Sequence, residues 1–197
     1  MNNNKILSRL TLALIVAEVA VLLLSWILSA TMTPGVRSLL SSEGVRWLVG
    51  SFAEVVASWP LAWIVLLSIS WGCLRRSGLL HFRRTFGRER AALWLVVFEA
   101  VVALLLIALL TLTPHAPLLS ITGRLFPSPF SAGLVPMLAL FIAVVSVSFG
   151  ALVGRFRSFF DVFQSMSEGL SFAAPLMVVY IFVVWLAATF DYAFMNN

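Results

Sequence analysis

The stretch LTLALIVAEVAVLLLSWILSA, Leu10 to Ala30, carries a single charged residue, Glu18, in a run long enough to cross a bilayer. A hydrocarbon core about 30 Å thick needs about 20 apolar residues in a helix, and lipid offers the backbone no hydrogen-bond partners, so such a segment must satisfy its own N–H and C=O groups. Four more runs of the same kind follow, giving expected spans at about 10–30, 55–74, 91–112, 134–154 and 173–190. Composition agrees: 61% of the 197 residues are hydrophobic and 11% charged, where soluble domains carry about 25% charge. The mean hydropathy is +1.05. The expected fold class is therefore all-α, a polytopic integral membrane protein forming a single membrane domain over 1–197. The first run also exceeds the roughly 7–15 apolar residues of a signal peptide, so it is expected to stay as an uncleaved helix.

Charge is concentrated between the second and third runs, where SWGCLRRSGLLHFRRTFGRER holds Arg75, Arg76, Arg83, Arg84, Arg88 and Arg90. In a soluble chain a net charge of +5 would suggest nucleic acid. Between membrane spans the same excess follows the rule that cytoplasmic loops are rich in Lys and Arg. With the N-terminus in the cytoplasm, Lys5, Arg9, the six loop arginines, Arg155 and Arg157 all fall inside, and Arg37, Arg46 and Arg124 fall outside. The six arginines are thus expected to set topology and touch anionic headgroups, with no nucleic-acid partner. Five spans put the C-terminus on the extracytoplasmic side of the inner membrane.

Two connections are amphipathic. In 37–54, Leu40, Trp47, Leu48 and Phe52, continued by Val55, lie opposite Ser42, Glu43, Arg46 and Glu54; in 155–171, Phe156, Phe159, Phe160, Phe163, Met166 and Leu170 share a face. Both are expected to be interfacial or re-entrant helices. The connection TPHAPLLSITGRLFPSPFSAG, rich in Pro, Ser and Gly, is expected to be an extracytoplasmic loop. Tryptophans 47, 59, 63, 71 and 94, near span ends, fit a belt at headgroup level.

Two carboxylates lie within expected spans, Glu18 in the first and Glu99 in the third, each about ten residues from the cytoplasmic end. Ionised groups at that depth are costly and mark ion or proton pathways; a protonated carboxyl hydrogen-bonded to a neighbour is the alternative. Gly150 and Gly154 are four apart in GALVG, a small-xxx-small spacing that lets another helix approach closely, although glycine is common in membrane helices anyway. Cys73 stands alone, and His81 and His115 lie in separate loops without a cysteine ligand pattern, so neither a disulfide nor a metal site is expected. No nucleophile, phosphate-binding or cofactor motif is present, and neither an enzymatic activity nor a cofactor is expected.

Two stretches carry a family resemblance. SLLSSEGVRWLVGSFAEVVASWPLAWIVLLSISWGCLRRSGLL, Ser38 to Leu80, resembles the early part of the aminobenzoyl-glutamate transporter (AbgT) family in its SLL..EG.RW element, Pro-Leu span and charged SGL ending. SPFSAGLVPMLALF, followed by GALVGRFRSFFDVFQSMSEGLSFAAPLMVVYIFVVWLAATF, resembles a later part with an SPF...G..P opening, a cytoplasmic D.......M helix and another span. The resemblance implies ion-coupled transport of aminobenzoyl-glutamate or related folate-type aromatic acids or antimetabolites, by an oligomer or with a second membrane subunit. Family members carry substrate-contacting segments between these stretches that have no counterpart here, so the chain reads as a shortened member. A non-transporting accessory or scaffold subunit is the alternative reading.

Overall fold

In a computed structural model, the chain is described over residues 2–81, 87–112 and 128–195. Among the described residues there are six α-helices, one short 3-10 turn and no strand. The helices are α1 (Asn2–Ala30), α2 (Ser42–Val56), α3 (Trp59–Ser77), α4 (Gly87–Leu112), α5 (Pro129–Val153) and α6 (Phe159–Phe194), with the 3-10 turn at Leu79–His81. Five helical stretches are long and apolar enough to cross a membrane: Asn4–Ala30, Ser42–Ser77, Gly87–Thr111, Pro129–Val153 and Phe159–Phe194. The second joins α2 to α3 through residues 57–58. Arg83, Arg84, His115, Arg124 and most of the Pro-rich connection lie outside the described residues.

The chain divides into two compact units, residues 1–62 with 173–197, and residues 63–172. In the first, α1 ends in a Schellman motif. The Thr33 N–H bonds to the Leu28 carbonyl at 3.2 Å and the Met32 N–H to the Ser29 carbonyl at 3.1 Å. Met32 takes the left-handed position at φ 54°, which glycine usually fills because a Cβ there is strained. The chain then threads inward: Leu39 is fully buried with Tyr192 and Ala193, against Val21, Leu22, Trp47 and Leu48. Two hydrogen bonds fix this segment, from Arg37 N–H to the Ala193 carbonyl at 3.0 Å and from Leu39 N–H to Ser25 Oγ at 3.2 Å. Ser41 then caps α2, its hydroxyl accepting from the Gly44 N–H at 3.0 Å. Trp47 stacks between Trp185 and Tyr192 with centroids 5.7 and 4.3 Å away, while Phe52 meets Trp185 edge-on at 4.9 Å. The amphipathic face read in 37–54 is used here, packed on the end of α6.

In the second unit, α5 starts with a capping box between Ser128 and Ser131, with Pro129 in its first turn, and ends at Gly154. The segment expected at 155–171 is not a separate interfacial helix; from Phe159 it is the first part of α6, continuous with the last span. At about 1.5 Å per residue the 36 residues of α6 reach about 54 Å, more than a bilayer core needs, so one helix supplies both elements. The phenylalanine face of this part of α6 is the open one. Phe159, Phe160 and Phe163 are 82%, 68% and 57% exposed, whereas Val162, Ser165, Gly169 and Ala173 are buried. Lipid is as apolar as phenylalanine, so burying a ring against protein gains little, and small residues that let backbones meet take the interior instead.

Candidate functional site

The second unit holds a close helix crossing. α3 and α6 run antiparallel and touch at Gly72 and Gly169: a Cβ on Gly72 would collide with the Ser165 carbonyl oxygen and come within 2.8 Å of the Gly169 nitrogen. A Cβ on Gly169 would strike the Ser68 carbonyl and lie 2.9 Å from the Gly72 nitrogen. Each helix therefore contributes a Ser-xxx-Gly pair, Ser68 with Gly72 and Ser165 with Gly169. The serines satisfy themselves locally: Ser68 Oγ donates to the Val65 carbonyl at 2.7 Å and Ser165 Oγ to the Val162 carbonyl at 2.7 Å. Buried Cys73 lies 3.5 Å from Ser165 Oγ. Ser70 Oγ is within 2.7 Å of the Ala139 carbonyl and 2.8 Å of the Leu66 carbonyl, and so reaches α5.

Charge closes the crossing at its polar end. Arg76 Nη1 donates to Glu168 Oε1 at 2.7 Å and Nη2 to Gln164 Oε1 at 3.2 Å. Beside this pair opens a cleft of about 440 Å³ lined by Trp71, Gly72, Arg75, Arg76, Glu168, Gly169 and Phe172. Arg75 faces it and, among the described residues, makes no ion pair. Gly78, with φ +80°, approaches the Arg155 guanidinium. The chain leaves α5 at Gly154 in the left-handed conformation, φ +85°, and the Phe156 ring folds over Gly150. Gly150 lies in the last turn of α5 and Gly154 just past its end, while a close glycine-to-glycine helix contact is made by Gly72 and Gly169. Asp161 caps α6, its carboxylate accepting from the N–H groups of Arg157 at 2.9 Å and Ser158 at 3.0 Å. These bonds hold its pKa below the ordinary aspartate value, the Arg157 N–H contributing most and Ser158 next.

The two span carboxylates fall in different units. In the first unit the Thr189 hydroxyl lies 3.0 Å from Glu18 Oε2, and also within reach of the Trp185 and Leu186 carbonyls. Thr189 is fully buried, and Glu18 Oε1 is buried without a hydrogen-bond partner. In the second unit Glu99 Oε2 on α4 is likewise buried without a partner. Arg88 and Arg90 stand exposed in the first turn of α4. No group of three or more metal-ligating His, Cys, Asp or Glu side chains occurs among the described residues. Thr189 was invisible to sequence reasoning because it lies 171 positions from Glu18. The glycine crossing was visible in principle, as two Ser-xxx-Gly pairs, one in each helix.

Five helical stretches long and apolar enough to span, one close small-residue crossing and carboxylates inside apolar helices define a polytopic integral membrane protein. The sequence profile of the AbgT putative transporter family matches residues 83–197, more than half of the chain. The chain belongs to this family. The matched region contains the second of the two resembling stretches, and the first lies before it. The fold is that of the YdaH transporter of Alcanivorax borkumensis, whose crystal structure aligns with a TM-score of 0.82 at 16% identity, covering 93% of this chain and 70% of that one. No curated protein sequence matches the chain.

Proposed function

We propose that the chain takes part in ion-coupled transport of aminobenzoyl-glutamate or related folate-type aromatic acids across the inner membrane, working as an oligomer or with a second membrane subunit. The N-terminus is on the cytoplasmic side in this reading and the C-terminus outside, with the arginines of the 75–90 segment holding that orientation. Family membership supplies the transport reading. The observation that carries the coupling is Glu18, whose carboxyl sits in an apolar span with one oxygen beside Thr189 and the other without a partner. A carboxyl so placed can take up and release a proton or a cation, because an isolated charge in the span is costly and a neutral or ion-paired one is not. Glu99 is the second coupling candidate, with an oxygen in the same condition.

The test is flux of aminobenzoyl-glutamate into liposomes holding the purified chain under an imposed pH or sodium gradient. Gradient-dependent flux that falls at least tenfold in Glu18→Gln supports the reading. Undiminished flux and ion dependence in both Glu18→Gln and Glu99→Gln would remove the carboxylates from the mechanism. No flux above empty vesicles, together with a membrane partner that co-purifies, would favour the accessory-subunit reading instead.

A further inference from the structure

The cleft beside the glycine crossing is lined by neither coupling carboxylate, and its chemistry is of a different kind. Its polar end holds two guanidiniums, of Arg75 and Arg76, and one carboxylate, Glu168. Arg76 is committed to Glu168 and Gln164, which leaves Arg75, among the described residues, as a positive charge without an ion-pair partner. One turn back along α3, toward its apolar middle, is Trp71; one turn onward along antiparallel α6 from Glu168 is Phe172. These rings are 42% and 65% exposed. The floor between them is the backbone of Gly72 and Gly169, where the two helices touch. The cleft is thus graded along the helix axis, charged at the helix end and apolar toward the middle of the span.

A small soluble anion would use Arg75 and leave the rings and the glycine floor without a role. A molecule with a phosphate at one end and hydrocarbon at the other uses every part: the phosphate oxygens accept from the Arg75 guanidinium, and the chain lies over Trp71, the floor and Phe172. Tryptophan at headgroup depth suits that boundary because its ring is apolar and its N–H polar. A volume of about 440 Å³ is within the range of small-molecule sites, roughly 300–1,000 Å³. We propose that this cleft is a binding site for an anionic phospholipid from the leaflet on the arginine-rich side, with Arg75 as its phosphate ligand. Charge complementarity selects an anionic lipid, because the Arg76–Glu168 pair is internally neutral and Arg75 is left in excess.

The test is native mass spectrometry of the purified full chain in mild detergent, titrated with phosphatidylglycerol, phosphatidylcholine or inorganic phosphate. Phosphatidylglycerol is expected to bind as a discrete adduct, to exceed phosphatidylcholine in occupancy, and to resist displacement by inorganic phosphate. Arg75→Gln should weaken it about fivefold, the effect of one arginine near an anionic surface. Phe172→Ala should weaken it as well, whereas Arg88→Gln, at an exposed arginine outside the cleft, should leave it unchanged. Should Arg75→Gln misfold, Phe172→Ala decides alone. Equal losses in Arg75→Gln and Arg88→Gln would mean diffuse attraction and overturn the site. So would unchanged binding in Arg75→Gln, or in Phe172→Ala. Displacement by inorganic phosphate or by a soluble aromatic dicarboxylate would reassign the cleft to a free anion.

Discussion

Two contacts in this chain are built by opposite means. Where α3 meets the first part of α6, the backbones touch because Gly72 and Gly169 have no side chains, and a polar clamp, Arg76 with Glu168 and Gln164, closes the end. Where α2 meets the last part of α6, the contact is made by rings, with Trp47 stacked on Trp185 and Tyr192 and Arg37 5.9 Å over the Tyr192 ring. The difference follows from what each contact replaces. Within a span the alternative to a protein contact is lipid, which is as apolar as any side chain, so association relies on close van der Waals fit. Near a span end the alternative is water and headgroup, and large amphipathic rings gain from leaving it.

The largest expected effect is at the backbone contact. Gly169→Val places a branched side chain where a Cβ already meets the Ser68 carbonyl and lies 2.9 Å from the Gly72 nitrogen, and backbone cannot move aside as a side chain tip can. The cost should be about 3 kcal/mol, read as loss of thermal stability in detergent. Gly50→Ala is the matched control: a Cβ there meets nothing within 4 Å, and the higher helix propensity of alanine should make it neutral or stabilising. Equal behaviour of the two variants would remove the backbone contact from the account.

Trp47→Ala is the corresponding test of the ring contact. It removes stacking on two partners from a residue that is only partly buried, so the cost should be about 2 kcal/mol, below the 3–5 kcal/mol of a fully buried aromatic. Trp47→Phe should restore much of it, since a flat ring still fills the gap between Trp185 and Tyr192. A loss greater than that of Gly169→Val would invert the comparison and make the rings the main fastening.

Much of the architecture was legible in the sequence for a local reason. Apolar runs of spanning length announce themselves residue by residue, and the 3.6 periodicity of Leu48, Phe52 and Val55 against Glu43, Arg46 and Glu54 suffices for an amphipathic helix. The packed face of α6 was not legible by the same rule: periodicity gathers the phenylalanines on one face but does not say which small residues, here Ser165 and Gly169, meet another helix. Pairings between distant positions had no local signature at all: nothing near Glu18 names Thr189, and nothing near Arg76 names Glu168, 92 positions away. Gly150 and Gly154 had the spacing of a packing motif, but spacing cannot tell a helix interior from its end. The left-handed φ of Gly154 places it past the end of α5.

The smallest expected effect concerns the start of α6, where the crossing helix is capped and not packed. Asp161 accepts the N–H groups of Arg157 and Ser158, and Ser158 Oγ faces the Asp161 N–H at 3.4 Å, the reciprocal arrangement of a capping box. Because these bonds lower the folded-state pKa, the carboxylate stabilises the cap above its unfolded value near 3.9, and that contribution fades as pH falls through the lower folded value. Protection factors over 157–161, with observed exchange corrected for the intrinsic rate at each pH, should therefore fall below about pH 4 in the wild type. In Asp161→Asn, which keeps an acceptor oxygen and has no titrating carboxylate, this fall in protection should vanish. The glycine crossing, where backbone meets backbone at Gly72 and Gly169, should keep its protection over the same range. Parallel loss of protection at Gly72 and Gly169 would show that the cap and the crossing open as one element.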